Sequence, residues 1–175
     1  IIFKDFFEFI ETNTIKYDKF FLNHPWGSSN IYRDEVIKQY FQNECSYIKD
    51  IGKNPSADWA YILAVIKHLE NNGKIIALVT NSCMFNTADK SIRKYLIENG
   101  MIECVIRMPP NLLSYTSISF NIIVISHGNK NIKMVDAHKF FKAGRRQNEL
   151  SKENILSILN AVENNTDESL FTDIN

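Results

Sequence analysis

The chain has 175 residues, and 45% of them are hydrophobic, which suits one globular domain with a core of its own. Twenty basic and twenty acidic residues give a formal net charge of zero. This balance argues against a strongly basic nucleic-acid clamp, although it leaves room for a local basic patch. The three cysteines are odd in number and far apart, so we expect no disulfide framework and favour a reducing, cytoplasmic compartment.

The sequence also argues against a metal site and a membrane segment. No CxxC or HExxH spacing is present and the four histidines are scattered, so we expect no metal. No apolar run approaches the ~20 residues that cross a bilayer, and no signal peptide begins the chain. Because the sequence starts with Ile1 and has no initiating methionine, we expect it to be a piece of a longer polypeptide.

The first predicted elements are a helical lead-in and an apolar strand. Residues 1–16 mix aromatic and acidic side chains, which predicts a short amphipathic helix or an irregular lead-in. The run 17–22 is a short apolar strand that ends at a polar segment. A helix is expected over 33–43, and the loop 49–55 is either a flexible substrate-binding arm or a solvated excursion of the surface.

A buried helix and a central strand come next. Ser56 or Asp58 can cap a helix over residues 59–70 that is apolar on almost every side, and the Asn-Asn-Gly run at 71–73 would end it. The continuous apolar run 75–79 follows directly. Such a run is the pattern expected of a parallel strand that is covered on both faces.

The strands that follow extend the same sheet. A second helix at 88–99 leads to a strand at 102–108. Strand, helix, strand, helix, strand at this spacing predicts two right-handed βαβ crossovers and hence a parallel sheet. The apolar run 118–126 is reached without a helix, so we expect it to pair antiparallel with a neighbour.

The last part of the chain predicts an edge strand, a basic loop and a final helix. The strand is expected at 133–136, the helix at 151–163, and residues 164–175 are expected to fray. The loop between strand and helix carries four cations, Lys139, Lys142, Arg145 and Arg146. Their side chains could contact DNA phosphates or a partner subunit, or could simply be solvated.

The segment Asn23-His24-Pro25-Trp26, directly after the first strand, carries the most specific chemistry. In an open α/β sheet, ligands bind beyond the carboxyl ends of the strands. The Asn23 side-chain oxygen and a backbone carbonyl held rigid by Pro25 could accept both hydrogens of an amino group. The indole of Trp26 offers a planar base a stacking face. Such a clamp would prepare an aromatic amine to attack an electrophilic methyl group; the alternative is an ordinary strand-terminating turn.

The same four residues resemble the Asn-Pro-Pro-aromatic motif of amino-methyltransferases that use S-adenosylmethionine. His24 departs from that motif, because it stands where the family has its first proline; it keeps the backbone carbonyl but loses the locked φ. A longer resemblance, over roughly residues 17–160, is to the modification (M) subunits of type I restriction-modification systems. The segments that carry it are 57–62, 73–79, 92–99, 102–109, 135–137 and 142–151.

The resemblance implies an α/β fold with a partial doubly wound, Rossmann-like methyltransferase sheet, mostly parallel with an antiparallel strand near the end. It implies a partial S-adenosylmethionine-dependent methyltransferase domain over residues 1–163, with S-adenosylmethionine as the methyl donor. The chain has no GxGxxG and no GxxxxGK[ST], so a phosphate-cradling loop is missing. We therefore expect only the half that holds the target base, and the cofactor-binding residues are unknown.

The resemblance also implies roles for the site residues. Asn23 would accept from the adenine amino group, and Trp26 would stack on an adenine flipped from the duplex. Pro25 would set the local geometry. His24 would contribute its backbone carbonyl, with a role as general base as the alternative, although the methylated amine can lose its proton to water later. The implied partners are DNA, a specificity (S) subunit and a restriction (R) subunit, in the cytoplasm of a bacterium or archaeon.

The function expected on these grounds is adenine-specific DNA methylation, the transfer of a methyl group from S-adenosylmethionine to the exocyclic amine. The chain by itself is expected to be inactive. Two alternatives stay open. The chain could be a catalytically inert fragment that serves as a structural or interaction part of an assembly. It could also methylate a protein amide such as glutamine, because the same clamp suits that group.

Overall fold

The computed structural model describes residues 6–26, 35–53, 55–164 and 171–174. One mixed sheet has helices packed on both of its faces. The strands are β1 (Tyr17–Leu22), β2 (Leu69–Thr80), β3 (Ile102–Arg107), β4 (Phe120–Ile125), β5 (Ile132–Asp136) and β6 (Phe171–Ile174). The helices are α1 (Phe6–Thr12), α2 (Glu35–Glu44), α3 (Ala57–Ile66), α4 (Ser82–Phe85), α5 (Lys90–Glu98) and α6 (Lys152–Asn164), with a 3-10 turn at Thr87–Asp89.

The strand order in the sheet is β1-β2-β4-β3-β5-β6. β1 pairs parallel with β2, and β3 pairs parallel with β5. β4 lies antiparallel between β2 and β3, and β6 lies antiparallel to β5. Four of the six described strands therefore point the same way. The predicted α/β fold, a mostly parallel sheet with an antiparallel strand near the end, is confirmed.

Two features of the sheet differ from the sequence prediction. β2 and β3 point the same way but do not pair, because β4 is inserted between them. The strand and helix pattern thus predicted the direction of these strands but not their adjacency. β5 was predicted to be an edge strand, yet β6 pairs with its outer side. The predicted frayed tail, 164–175, therefore contains four residues that belong to the sheet.

β2 begins earlier than predicted. α3 ends at Ile66, whereas the sequence predicted a helix to residue 70, and β2 starts at Leu69. Tyr17 pairs with Leu69 and Lys19 pairs with Lys74, so a step of two residues on β1 matches a step of five on β2. This mismatch makes a bulge in β2. The Asn-Asn-Gly run that predicted the end of a helix lies in the bulge.

The hydrophobic core lies on both faces of the sheet. The larger cluster joins β1 and β2 to α1, α3 and α5. Nine of the ten residues of α3 are buried, as its apolar sequence predicted. The smaller cluster joins the opposite face to α6 through Ile158 and Ala161. Because α3 packs on both β1 and β2, the end of β1 is supported by two rigid elements.

Candidate active site at the end of the first strand

Asn23 to Trp26 leave the sheet at the carboxyl end of β1, as predicted. Their side chains alternate between surface and interior: Asn23 and Pro25 are exposed, His24 is buried and Trp26 is half-buried. This alternation continues the period-two pattern of the strand beyond its last residue. The four predicted site residues therefore share one edge of the sheet but not one surface.

Asn23 and Pro25 line a groove of about 510 Å³. The aromatic side chains in its wall come from α1, β1 and α3, and they are Phe6, Phe9, Phe20, Phe21 and Tyr61. Among the described residues that line the groove there is no Asp, Glu, Lys or Arg; His24 is buried in the wall, and Asn23 is the exposed polar side chain. A flat, largely apolar group could stack in such a groove while one amide binds its polar edge.

Trp26 lies outside this groove. Its indole N–H donates to the carbonyl oxygen of Leu78 at 3.0 Å, which ties the loop to the backbone of β2. Its ring packs on Phe120, with centroids 5.3 Å apart, and on Tyr115, with centroids 6.2 Å apart. The structure thus does not bring the side chains of Asn23 and Trp26 into one groove, and the stacking role stays a prediction.

His24 turns into the interior, and the exposure of its side chain is 3%. Its Nε2 lies 2.6 Å from Oδ1 of Asp58. Its ring is stacked on the ring of Tyr61, with centroids 4.8 Å apart and an interplanar angle of 15°. Nδ1 has no hydrogen-bond partner within the described ranges. The side chain of His24 is therefore packed beneath the candidate site, whereas the sequence favoured a role for its backbone carbonyl.

Besides its contact with His24, Asp58 accepts hydrogen bonds from two residues, Thr80 and Ser56. Its Oδ2 accepts from the Thr80 hydroxyl at 2.5 Å, from the Thr80 backbone N–H at 3.3 Å and from the Ser56 hydroxyl at 3.2 Å. Burial by itself raises the pKa of Asp58, but the bonds from His24 and Thr80 outweigh burial and hold the pKa below its usual range. Asp58 is therefore a carboxylate that only accepts, and Nε2 of His24 carries the proton between them.

Sequence reasoning missed this part of the site. Asp58 was predicted as a helix start, and it does lie in the first turn of α3, but it turns towards β1 and β2. Ser56 is the N-cap residue, without a side-chain capping bond. A signal was available, since one acidic residue in an otherwise apolar helix is rarely buried without partners. Tyr61 and Thr80 carried no comparable signal.

A polar network continues along the carboxyl end of β2. The Thr80 and Ser82 hydroxyl oxygens are 2.9 Å apart. Asn81 donates to Oγ of Ser119 at 2.8 Å and accepts from the Asn121 amide, also at 2.8 Å. Asn121 is buried in β4, so these bonds fix the ends of two neighbouring strands.

The four predicted DNA-contacting cations, Lys139, Lys142, Arg145 and Arg146, are all exposed. Their loop is anchored to the loop after β3. Asn111 donates to the Arg146 carbonyl oxygen at 3.2 Å, and Asn148 donates to the Pro110 carbonyl oxygen at 2.9 Å. These hydrogen bonds hold the backbone of the loop that carries the cations. The exposed side chains could bind a phosphate, a partner subunit or water equally well.

The groove beside Asn23 does not fit S-adenosylmethionine. That molecule carries an ammonium, a carboxylate and a sulfonium, whereas no charged side chain lines the groove beside Asn23. Within the described ranges of the chain, no three His, Cys, Asp or Glu side chains cluster as a metal site would require. No helix in these ranges is both long enough and apolar enough to cross a bilayer.

Comparisons with known proteins agree with this fold. The profile of the family described as N-6 DNA methylase matches residues 3–174. The chain is 28% identical over 130 residues to the type I restriction enzyme MpnII methylase subunit of Mycoplasma pneumoniae, covering 70% of this chain and 24% of that protein. It is 27% identical over 157 residues to the type I restriction enzyme MjaVIII methylase subunit of Methanocaldococcus jannaschii, covering 85% and 27%.

A solved structure is similar as well. The methyltransferase subunit of a type I restriction-modification system from Streptococcus thermophilus superposes with a TM-score of 0.73 at 26% identity, over 90% of this chain and 34% of that one. The chain spans only about a quarter of the curated relatives and a third of this structure. The resemblance to type I modification subunits predicted from the sequence is confirmed, and because the profile covers nearly every residue, the chain belongs to the N-6 DNA methylase family.

Proposed function

We propose that this chain holds the target amine in an adenine-specific DNA methyltransferase, as part of the modification subunit of a type I restriction-modification system. The observation that carries the proposal is the exposed amide of Asn23, which lies next to Pro25 in an aromatic groove where β1 ends. Family membership supports it, since the profile that matches is that of DNA methylases.

In this proposal two acceptors bind the adenine amino group. The side-chain oxygen of Asn23 and the backbone carbonyl of His24 each accept one hydrogen, which draws the nitrogen towards tetrahedral geometry. Its lone pair is then less delocalised into the ring and can attack a methyl carbon. S-adenosylmethionine, the donor that the resemblance implies, would supply the methyl group; its S–CH3 bond would break as the N–CH3 bond forms, and the neutral thioether S-adenosylhomocysteine would leave. The methylated nitrogen releases one proton to water.

The aromatic groove supports the choice of a base as the ligand. An adenine reaches such a site only after it has been flipped out of the duplex, which costs a few kcal/mol. Contact with aromatic side chains such as Phe20 and Phe21 returns about 1–3 kcal/mol per base. The stacking role of Trp26 is a separate proposal, because its indole lies outside this groove; it would use the part of the ring that Phe120 and Tyr115 leave uncovered.

The partners proposed are DNA, a specificity subunit and a restriction subunit. Lys139, Lys142, Arg145 and Arg146 would contact DNA phosphates or one of these subunits, and their exposure supports either contact. Contacts of this kind weaken as salt rises, because counterions compete for the phosphates.

A second candidate function is supported by the uncharged groove. If the donor binds far from the described residues, the chain could be an inert structural or interaction part of the assembly. A protein amide is a third candidate acceptor, although membership of a DNA methylase family favours adenine.

The test is Asn23→Ala in the complete methyltransferase assembly, with methyl transfer to DNA as the readout. The variant removes one of the two oxygens that would accept a hydrogen bond from the adenine amino group, and this loss should lower kcat by roughly a hundredfold. The matched control is Asn72→Ala, which removes an exposed amide from β2 away from this site and should leave kcat unchanged. Full activity of Asn23→Ala, with the assembly intact, would favour the inert structural role.

A further inference from the structure

The backbone carbonyl of residue 24 must keep a fixed direction if it accepts one hydrogen of the amino group. Proline at this position would supply the restraint through its ring, which fixes φ. A histidine before Pro25 is biased towards extended backbone, but its φ still varies by about 40° to either side. A further contact is therefore needed to hold this carbonyl as closely as a proline ring would. The side chain of His24 is buried, although it follows a strand that is only partly covered.

The imidazole supplies such a restraint through two contacts to α3. Nε2 lies 2.6 Å from Oδ1 of Asp58, and the ring face is stacked on Tyr61. Asp58 and Tyr61 are three residues apart, which places them on one face of a helix. Because α3 is buried over nearly its whole length, both contacts are made to a rigid element.

Asp58 extends the restraint to β2. Its other oxygen accepts from the hydroxyl and the backbone N–H of Thr80, and from the Ser56 hydroxyl. The carboxylate of Asp58 can only accept hydrogen bonds, so Nε2 of His24 carries the proton that it donates. Rotating the imidazole by 180° would move this N–H away from Asp58 and break the bond. Nδ1 has no partner in the described part of the chain, and therefore the bond to Asp58 sets the ring orientation.

Resting on the proposed function, we propose that His24 and Asp58 are positioning residues, and that their buried pair does the work of the first proline in the Asn-Pro-Pro-aromatic motif. The side chain of His24 is tied to α3 and, through Asp58, to β2. These side-chain contacts hold the backbone of residue 24, whereas in the family motif the pyrrolidine ring of proline does so. Neither side chain takes a proton from the substrate.

The decisive comparison is between His24→Ala and His24→Pro in the complete assembly. Both variants delete the imidazole, but only proline restrains φ. None of the backbone hydrogen bonds of the described residues is donated by the N–H of residue 24, so proline costs no bond there. We expect kcat for methyl transfer to fall about tenfold in His24→Ala, with the KM for DNA little changed, and to recover to within about twofold in His24→Pro.

Two results would overturn the inference. Activity of His24→Ala equal to that of the parent would show that the carbonyl needs no tether. Equal loss in both variants would show that the imidazole does more than hold the backbone. The first result leaves the proposed function standing as long as Asn23→Ala is inactive, whereas an active Asn23→Ala removes the proposed function whatever His24 does.

Asp58→Asn provides a second measurement. It should lower kcat about tenfold when residue 24 is histidine and much less when it is combined with His24→Pro, since the tether is then replaced. A purely structural role for Asp58 would give the same loss in both backgrounds. In case Asp58→Asn folds poorly, Thr80→Val breaks the same network from the β2 side, and the same difference between backgrounds is expected.

Discussion

Two buried carboxylates, Asp58 and Asp89, respond to burial in opposite directions. Burial raises the pKa of Asp58, but its donors outweigh burial and the pKa ends below the usual range. Burial also raises the pKa of Asp89, to about 6. The Ser56 N–H and the Arg93 guanidinium lower this pKa, but by less than burial raises it. The number and kind of donors at each carboxylate therefore decide the sign of the shift.

The raised pKa of Asp89 predicts a stability that falls as pH rises. Unfolded, the group titrates near its ordinary value of 3.8, and folded near 6. Between these values the folded chain binds more protons, so the contribution of Asp89 to the free energy of unfolding should drop as the pH rises. The drop is roughly 3 kcal/mol in all, about 2 kcal/mol of it between pH 4 and pH 6, and it levels off by about pH 7. Urea unfolding at several pH values should show this drop in the parent chain and a smaller one in Asp89→Asn.

In the parent chain the Ser56 N–H donates to Asp89 Oδ1 at 2.5 Å. The amide oxygen in Asp89→Asn can still accept this bond, so the variant removes the titrating group and keeps the hydrogen bond. Asp58 works in the other direction: its contribution is present above the unfolded pKa and is lost only as the pH falls through its lowered value. An identical profile in Asp89→Asn and the parent would contradict the assignment.

The residue pattern predicted where Asn23 would lie but not what His24 would contact. An apolar strand followed by polar residues is a local signal, and it placed the segment at the end of β1 correctly. The contact between His24 and Asp58 joins residues 34 positions apart. Periodicity indicates which face of an element is buried, and it carries no information about the partner across the interface.

At the scale of elements, local signals predicted the start of α6 correctly and the end of α3 wrongly. Ser151 was expected to open the last helix, and it does: its hydroxyl accepts from the Asn154 N–H at 3.2 Å, and the Asn154 side chain accepts from the Ser151 N–H at 3.0 Å. This reciprocal pair needs only neighbouring residues. The Asn-Asn-Gly run at 71–73 was misassigned because a bulge uses the same residue types as a helix end.

The bulge in β2 predicts a specific sensitivity at Gly73. A Cβ there would lie 2.6 Å from Leu69 Cδ1 and 2.9 Å from the Glu70 carbonyl oxygen. Because one of these atoms is backbone, Gly73→Ala should lower the free energy of unfolding by about 1–3 kcal/mol. Chemical denaturation of the chain measures the loss. Asn72→Ala, an exposed neighbour in the bulge, should change stability by less than about 0.5 kcal/mol; equal effects of the two changes would argue against the close packing.

At the scale of the whole molecule, the class of fold was predictable and the order of the strands was not. Continuous apolar runs marked β2, β3 and β4, and their spacing indicated the parallel direction of the first two. The insertion of β4 between them depends on pairing at long range, as in the register of Ala77 with Ile123 and of Val105 with Ile123. Such pairings follow from packing both faces of the sheet, which no short window contains.

The uncharged groove predicts how the isolated chain behaves towards the methyl donor. Calorimetric titration with S-adenosylmethionine should give no measurable heat of stoichiometric binding, since its charged groups would meet no charged side chain in the groove. The intact methyltransferase assembly, titrated in parallel, is the positive control. Stoichiometric binding by the isolated chain would place the donor site within it and would make the chain a more complete enzyme than we propose.

The position of β1 at one end of the sheet has a consequence for the behaviour of this chain in solution. Among the described strands, β1 pairs with β2 alone, and Phe21 on it is 68% exposed. Its free row of backbone N–H and C=O groups is a template on which a second chain could add a strand. Asp18 and Lys19, both exposed, are the charged gatekeepers that oppose such growth. Salt screens the charges of Asp18 and Lys19, so we expect the chain to aggregate more readily as the salt concentration rises.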